Sequence, residues 1–132
     1  DNTWDYVLSS HVIEHFFDPI KAIKEWFRVI KPGGYIYIIA PKSRALPGED
    51  RPCTTVQELV DRHEGRLLPE QVDMGGYQVS SVTGLPMGCH GHWSVWDLKD
   101  FIPLCYYYNW RIVNSQESDD KVGNGFCVVL QK

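Results

Sequence analysis

No stretch of this chain stays apolar for the roughly 20 consecutive residues that a membrane-spanning helix needs, and no charged-then-apolar leader opens it. A membrane protein is therefore not expected, and a cytoplasmic location is. Positive charge is also scarce: 13 Lys and Arg stand against 17 Asp and Glu, for a formal net charge of -4. No basic patch gathers them, and a phosphate backbone is held by clustered cations. Nucleic acid is accordingly not an expected partner. The four cysteines, Cys53, Cys89, Cys105 and Cys127, form no C-x-x-C pair, so reduced structural thiols are expected rather than a metal knuckle or a redox couple. Cys105 and Cys127 fall in apolar patterns, where cysteine acts as a small hydrophobe. There are no internal repeats and no low-complexity tracts. What is present is 43% hydrophobic residues, 13% of the chain being aromatic, too apolar for a disordered chain. The length of 132 residues suits one domain at most.

The most informative stretch runs from residue 4 to residue 41. An apolar run at 6–8 reads as a buried strand that delivers Ser9, Ser10 and His11 at its carboxyl end. Ligand crevices of open α/β sheets lie at such ends. Asp18 before Pro19 starts a helix, as an N-cap acceptor followed by a residue with fixed φ. Ile20, Ile23, Trp26, Phe27 and Ile30 recur at steps of three and four, one stripe facing the sheet, while Lys21, Lys24, Glu25 and Arg28 take the wet side. Lys31, Pro32, Gly33 and Gly34 are expected to stop the helix, and 35–40 to form the next buried strand. The chain is thus of the α/β class.

In that order, the residues HVIEH, DP, an amphipathic helix and KPGG resemble the class I S-adenosylmethionine-dependent methyltransferases, in their small-molecule branch. The match covers 5–41, with a weaker likeness from His92 to Gln131. The resemblance implies a Rossmann-like fold with a mixed sheet whose last strand pair is antiparallel, the final strand lying between its neighbours. It also exposes a departure. The family begins with a strand, a G-x-G-x-G turn and an acidic residue for the ribose, and this sequence has none of them; Gly75-Gly76 has no strand-to-helix pattern around it. The chain reads as the carboxyl-terminal half of such a domain, 1–41 giving the cofactor-loop strand, helix and next strand, 42–91 a substrate lid, and 92–132 the last helix and two strands.

The middle segment loses periodicity among Pro47, Pro52, Pro69 and Pro86, and so long an irregular stretch is expected to be a lid or binding loop. Within it Thr55 and Glu58 have capping-box spacing before Val56, Leu59 and Val60, with Arg62, His63, Glu64 and Gly65 ending a short helix. Met74, Tyr77, Leu85 and Met87 are candidate pocket residues, or lid residues that patch onto the sheet. Ser94 with Asp97 is expected to cap the last helix, whose stripe is Leu98, Phe101, Ile102 and Cys105, bent by Pro103 and closed by Asn109. Strands follow at 110–113 and 126–130. Trp4, Trp26, Trp93, Trp96 and Trp110 are expected in core or lid packing rather than an aromatic cage.

By the resemblance, Ser9, Ser10, His11 and Val12 meet the methionine part of S-adenosylmethionine, and Tyr77, Met87, His90 and His92 face a small-molecule acceptor. His11 is the candidate general base or acceptor-orienting group, because imidazole titrates near neutrality; a histidine here also serves simply to bond backbone. Glu14 joins it in the candidate catalytic set. No metal is expected. The alternative is that His11, Glu14 and His15 share a helical face, resembling the E-x-x-E-H metal run of some small-RNA and quinone methyltransferases, with His90 or His92 completing the site. Cys89-His90-Gly91-His92 lacks the second half of a zinc spacing. Asp5 reads as structural. The leading expectation is a methyltransferase segment inactive alone. The alternative is a non-catalytic half-domain that pairs through its exposed first strand with itself, as a homodimer, or with a separate amino-terminal half. A metal hydrolase on the same sheet rests on the histidines only.

Overall fold

The computed structural model describes residues 1–46, 50–87 and 90–132. Among them, a four-stranded mixed sheet is built from β1 (Trp4–Ser10), β2 (Ile30–Pro41), β3 (Arg111–Gln116) and β4 (Gly125–Gln131), in the spatial order β1-β2-β4-β3. β1 and β2 are parallel, and β4 runs antiparallel to both β2 and β3. The last strand therefore inserts between its neighbours, as expected. Helices α1 (Pro19–Val29), α2 (Val56–His63) and α3 (Leu98–Tyr107) complete the fold.

Local chemistry explains where the helices begin. The Asp18 carboxylate accepts from the Lys21 amide at 2.9 Å, and Pro19 occupies the first helical position. The Thr55 hydroxyl accepts from the Glu58 amide at 3.1 Å. At α3 the cap is not Ser94 but Asp97, three residues later. The Asp97 amide donates to Asp100 at 3.1 Å, while the Asp97 carboxylate accepts from the amide and hydroxyl of Ser43. Ser94 is buried instead beneath α2. Asn109 leaves the helix with φ +55, the left-handed geometry foreseen for it.

The KPGG segment behaves differently from a plain helix stop. α1 ends at Val29, and Ile30 already pairs with Trp4. Tyr35 then pairs with Tyr6, so a bulge in β2 absorbs Lys31 to Gly34. Asp5 is tied there by an ion pair to Lys31 at 2.7 Å.

One face of the sheet, formed by Ile36, Ile38, Ala40, Phe126, Val128 and Leu130, packs against Ile20 and Ile23 of α1, Leu59 and Val60 of α2, and Phe101, Leu104 and Cys105 of α3. Each fully buried Ile, Leu, Val or Phe among them contributes about 1.5–3 kcal/mol. Trp93 and Trp96 are buried, whereas Trp4 is exposed. On the opposite face, alternation places Tyr6, Leu8 and Tyr35 together, and they remain 68%, 64% and 45% exposed. β1 is also a sheet edge among the described residues. No helix among the described residues is long and apolar enough to cross a membrane.

Candidate functional site

β1 and β2 run in parallel, so their carboxyl ends open on the same side. There Ser9 is buried, and the hydroxyls of Ser9 and Ser10 are enclosed with no hydrogen-bond partner among the described residues. A buried hydroxyl left without a partner costs about 1–3 kcal/mol, so this pair is a cradle with donors and acceptors to offer. His11 continues the ladder through its amide, which donates to the Ile39 carbonyl at 2.9 Å, but turns sharply at φ +53. Non-glycine residues in that region cluster at functional sites. Val12 follows, 42% exposed.

A short 3-10 turn, Ile13–His15, then buries the Glu14 side chain to 1% exposure. Three imidazoles face one of its oxygens: Oε1 lies 3.8 Å from His11 Nδ1, 3.8 Å from His15 Nε2 and 4.0 Å from His92 Nε2. Burial pulls the His11 pKa below its ordinary value; Asp119 opposes this, while Lys121, His92 and His15 add to it. His11 is therefore a neutral imidazole at physiological pH.

The segment 92–94 is fastened to this turn through backbone. The Glu14 carbonyl accepts from the amides of Trp93, at 2.8 Å, and Ser94, at 3.2 Å, which fixes His92 beside it. Arg51 donates to the His92 carbonyl at 2.7 Å. From α2 the buried Arg62 donates to Ser94 Oγ at 3.1 Å and the Trp93 carbonyl at 3.2 Å, and pairs with Glu58. Burial lowers the Arg62 pKa, yet four oxygen acceptors surround the guanidinium, the fourth being the Phe17 carbonyl at 3.5 Å, and the Glu58 carboxylate compensates its charge. Sequence reading assigned Arg62 only to a helix end. Asp119 was missed altogether: its carboxylate takes the amides of Lys121, Val122 and Gly125 and is held at about 2 by those bonds, Val122 foremost. The Asp-to-glycine spacing of a charged hairpin loop was the available signal.

The expected acceptor-facing residues do not share one wall. His92 is buried against Glu14, whereas His90 is exposed, with its ring 5.8 Å from that of His92. Tyr77 lines a shallow pocket with Asp50, Arg51, Pro52, Asp73 and Gly75. Met87 is 49% exposed and Leu85 36%, while Met74 packs on Trp93. Cys89 lies outside the described residues. Cys53, Cys105 and Cys127 form no disulfide, and burial raises all three thiols, Cys105 to about 12. His11, Glu14 and His15 do not lie on one helical face, because the left-handed turn at His11 precedes the 3-10 turn. The residues whose ligand atoms approach one another within 4.8 Å are Glu14, His15 and His92.

Residues 1–38 match the family model of a methyltransferase domain. A Mycolicibacterium smegmatis protein named "probable S-adenosylmethionine-dependent methyltransferase" is 31% identical over 88 residues, covering 64% of this chain and 33% of that protein. A Schizosaccharomyces pombe protein named as an uncharacterised methyltransferase is 50% identical over 36 residues, 27% of this chain and 13% of its own length. The chain thus spans no more than about a third of the curated relatives it matches.

Proposed function

We propose, on the premise that this chain carries part of a class I S-adenosylmethionine-dependent methyltransferase domain, that it forms the half in which a small-molecule acceptor meets the methyl donor. The observation that carries this reading is the pair of enclosed, partnerless hydroxyls of Ser9 and Ser10 at the carboxyl end of β1, directly within the segment that matches the family model. They fit the polar methionine end of S-adenosylmethionine, with the His11 and Val12 backbone beside them. When bound, that group supplies a methyl on a sulfonium, a ready leaving group.

The chain's own residues then have separate tasks. Ser9 and Ser10 bind and orient. His11, neutral at physiological pH because burial disfavours its charged form, takes a proton from the acceptor at Nε2, since Nδ1 faces Glu14. Glu14, 3.8 Å from His11 Nδ1, holds that imidazole in place and favours its charged form once the proton arrives. Ribose and adenine contacts come from sequence outside this chain, so residues 1–132 alone bind the cofactor weakly. Calorimetry with S-adenosylhomocysteine tests the reading. The full parent protein binds and its Ser9→Ala/Ser10→Ala variant binds at least tenfold more weakly, whereas a parent that fails to bind, or binds unaltered in the variant, overturns it.

A second reading is favoured by Trp4, Tyr6 and Leu8, each more than 60% exposed on an edge strand. Such an edge pairs readily with another strand. Here the chain is a non-catalytic half that docks on a second copy or on an amino-terminal half. Binding of S-adenosylhomocysteine by the parent favours the first reading over this one.

A further inference from the structure

We propose that Glu14, His15 and His92 form a binding site for a divalent first-row cation of the zinc type. The argument begins with the tautomer of His15. Its Nδ1 lies 3.0 Å from the Gly91 carbonyl, an oxygen that can only accept, so Nδ1 carries the proton. In the neutral ring Nε2 then presents a lone pair, and it points towards Glu14 Oε1 at 3.8 Å. A divalent cation lying between them would take both as ligands. The second imidazole faces the same oxygen, with His92 Nε2 4.0 Å away.

The three ligand atoms all lie within 4.8 Å of one another. Around a tetrahedral zinc with bonds of ~2.1 Å, ligand atoms are about 3.4 Å apart, so small rotamer adjustments close the set. Two imidazole nitrogens and one carboxylate oxygen are a donor set suited to zinc and its neighbours rather than to magnesium or calcium. The supporting shell is in place as well. The Gly91 carbonyl orients His15 in the manner that tunes metal-bound imidazoles, and a side chain at Gly91, where φ is +77, would press on that ring at 3.4 Å. The Trp93 and Ser94 amides on the Glu14 carbonyl fix His92 relative to Glu14. His11 reaches the same carboxylate without joining the three.

The site lies one turn beyond Ser10, and a cation there would hold an oxygen donor of the acceptor. That role rests on the methyl-transfer reading; metal binding does not, and titration without any methyl donor separates the two. Metal-stripped protein is titrated with zinc chloride by calorimetry and with cobalt chloride by visible absorption, alongside His15→Ala, His92→Ala and, as a distant imidazole control, His63→Gln. Circular dichroism establishes which variants are folded. His15, about one third exposed, is the position at which substitution leaves the core intact. One zinc per chain, a cobalt spectrum of low-symmetry coordination, and at least a tenfold weaker affinity in His15→Ala but not in His63→Gln are the expected results. No stoichiometric binding, or binding unchanged in folded His15→Ala, overturns the site and leaves the methyl-transfer reading untouched.

Discussion

At the scale of single residues, two titrating groups make the account measurable. His11 has a folded-state pKa below its ordinary value of about 6.5, chiefly through burial. Acid therefore favours the unfolded chain: the stability present above about pH 6.5 is lost as pH falls through the folded value. An NMR titration of the His11 ring is expected to place its midpoint below 6.5, and a midpoint above it contradicts the assignment of a neutral base. On the methyl-transfer reading, the rate of the parent protein falls on the acid side of the same midpoint. Asp119 works in a lower window. Its carboxyl, held at about 2 by backbone amides, supplies stability that is complete above its ordinary value near 4 and drains away as pH approaches 2. Asp119→Ala strands the amides of Lys121, Val122 and Gly125, and urea unfolding should show a loss of about 1–3 kcal/mol. An unchanged midpoint would mean that water replaces the carboxylate at no cost.

At the scale of elements, what was legible in the sequence was what neighbours in the chain decide. Asp18-Pro19 starts α1 and Thr55 starts α2 because the capping oxygen and its amide lie three residues apart. Asn109 closes α3 for a similarly local reason. Ser94 had the same spacing to Asp97 but was claimed by Arg62, 32 residues away, and the cap moved to Asp97. The KPGG bulge depends on pairing with β1, which no local pattern records. The bulge makes a sharp comparison of two glycines. A Cβ at Gly34 would sit 2.7 Å from the Asp5 carbonyl oxygen and 2.9 Å from that of Lys31, whereas Gly33 has open space but φ +80. Gly33→Ala is expected to cost about 1–2 kcal/mol of strain, and Gly34→Ala more, since backbone on two strands must shift; thermal unfolding of the two variants gives the order. Arg62 joins α2 to the segment holding Trp93 and Ser94. Arg62→Ala should lower stability by about 2–3 kcal/mol, less than a fully buried pair because Glu58 is partly exposed, and should speed hydrogen exchange at the Trp93 and Ser94 amides. Retained protection there would remove the clamp from the account. The histidine cluster was half legible: HVIEH announced Glu14 and His15, but His92 arrives from 77 residues beyond His15, through the Glu14 carbonyl.

At the scale of the whole molecule, the sheet has one finished face and one unfinished side. Helices cover Ile36, Ile38 and Val128, while Tyr6, Leu8 and Tyr35 stand exposed beside an edge strand. Apolar surface and open backbone on the same flank are what a partner segment would cover. The central claim is that β1 is an interior strand of a larger sheet in the parent protein, ending at a cofactor crevice. Amide hydrogen exchange across Trp4–Ser10 tests it most directly, measured on this chain, on the full parent, and on the parent with S-adenosylhomocysteine. The account predicts rapid exchange at the outward amides of β1 in the chain alone, strong protection in the parent, and further slowing confined to Ser9, Ser10, His11 and Val12 when the cofactor product is added. Equal exchange in chain and parent, with no response at those four residues, would contradict it.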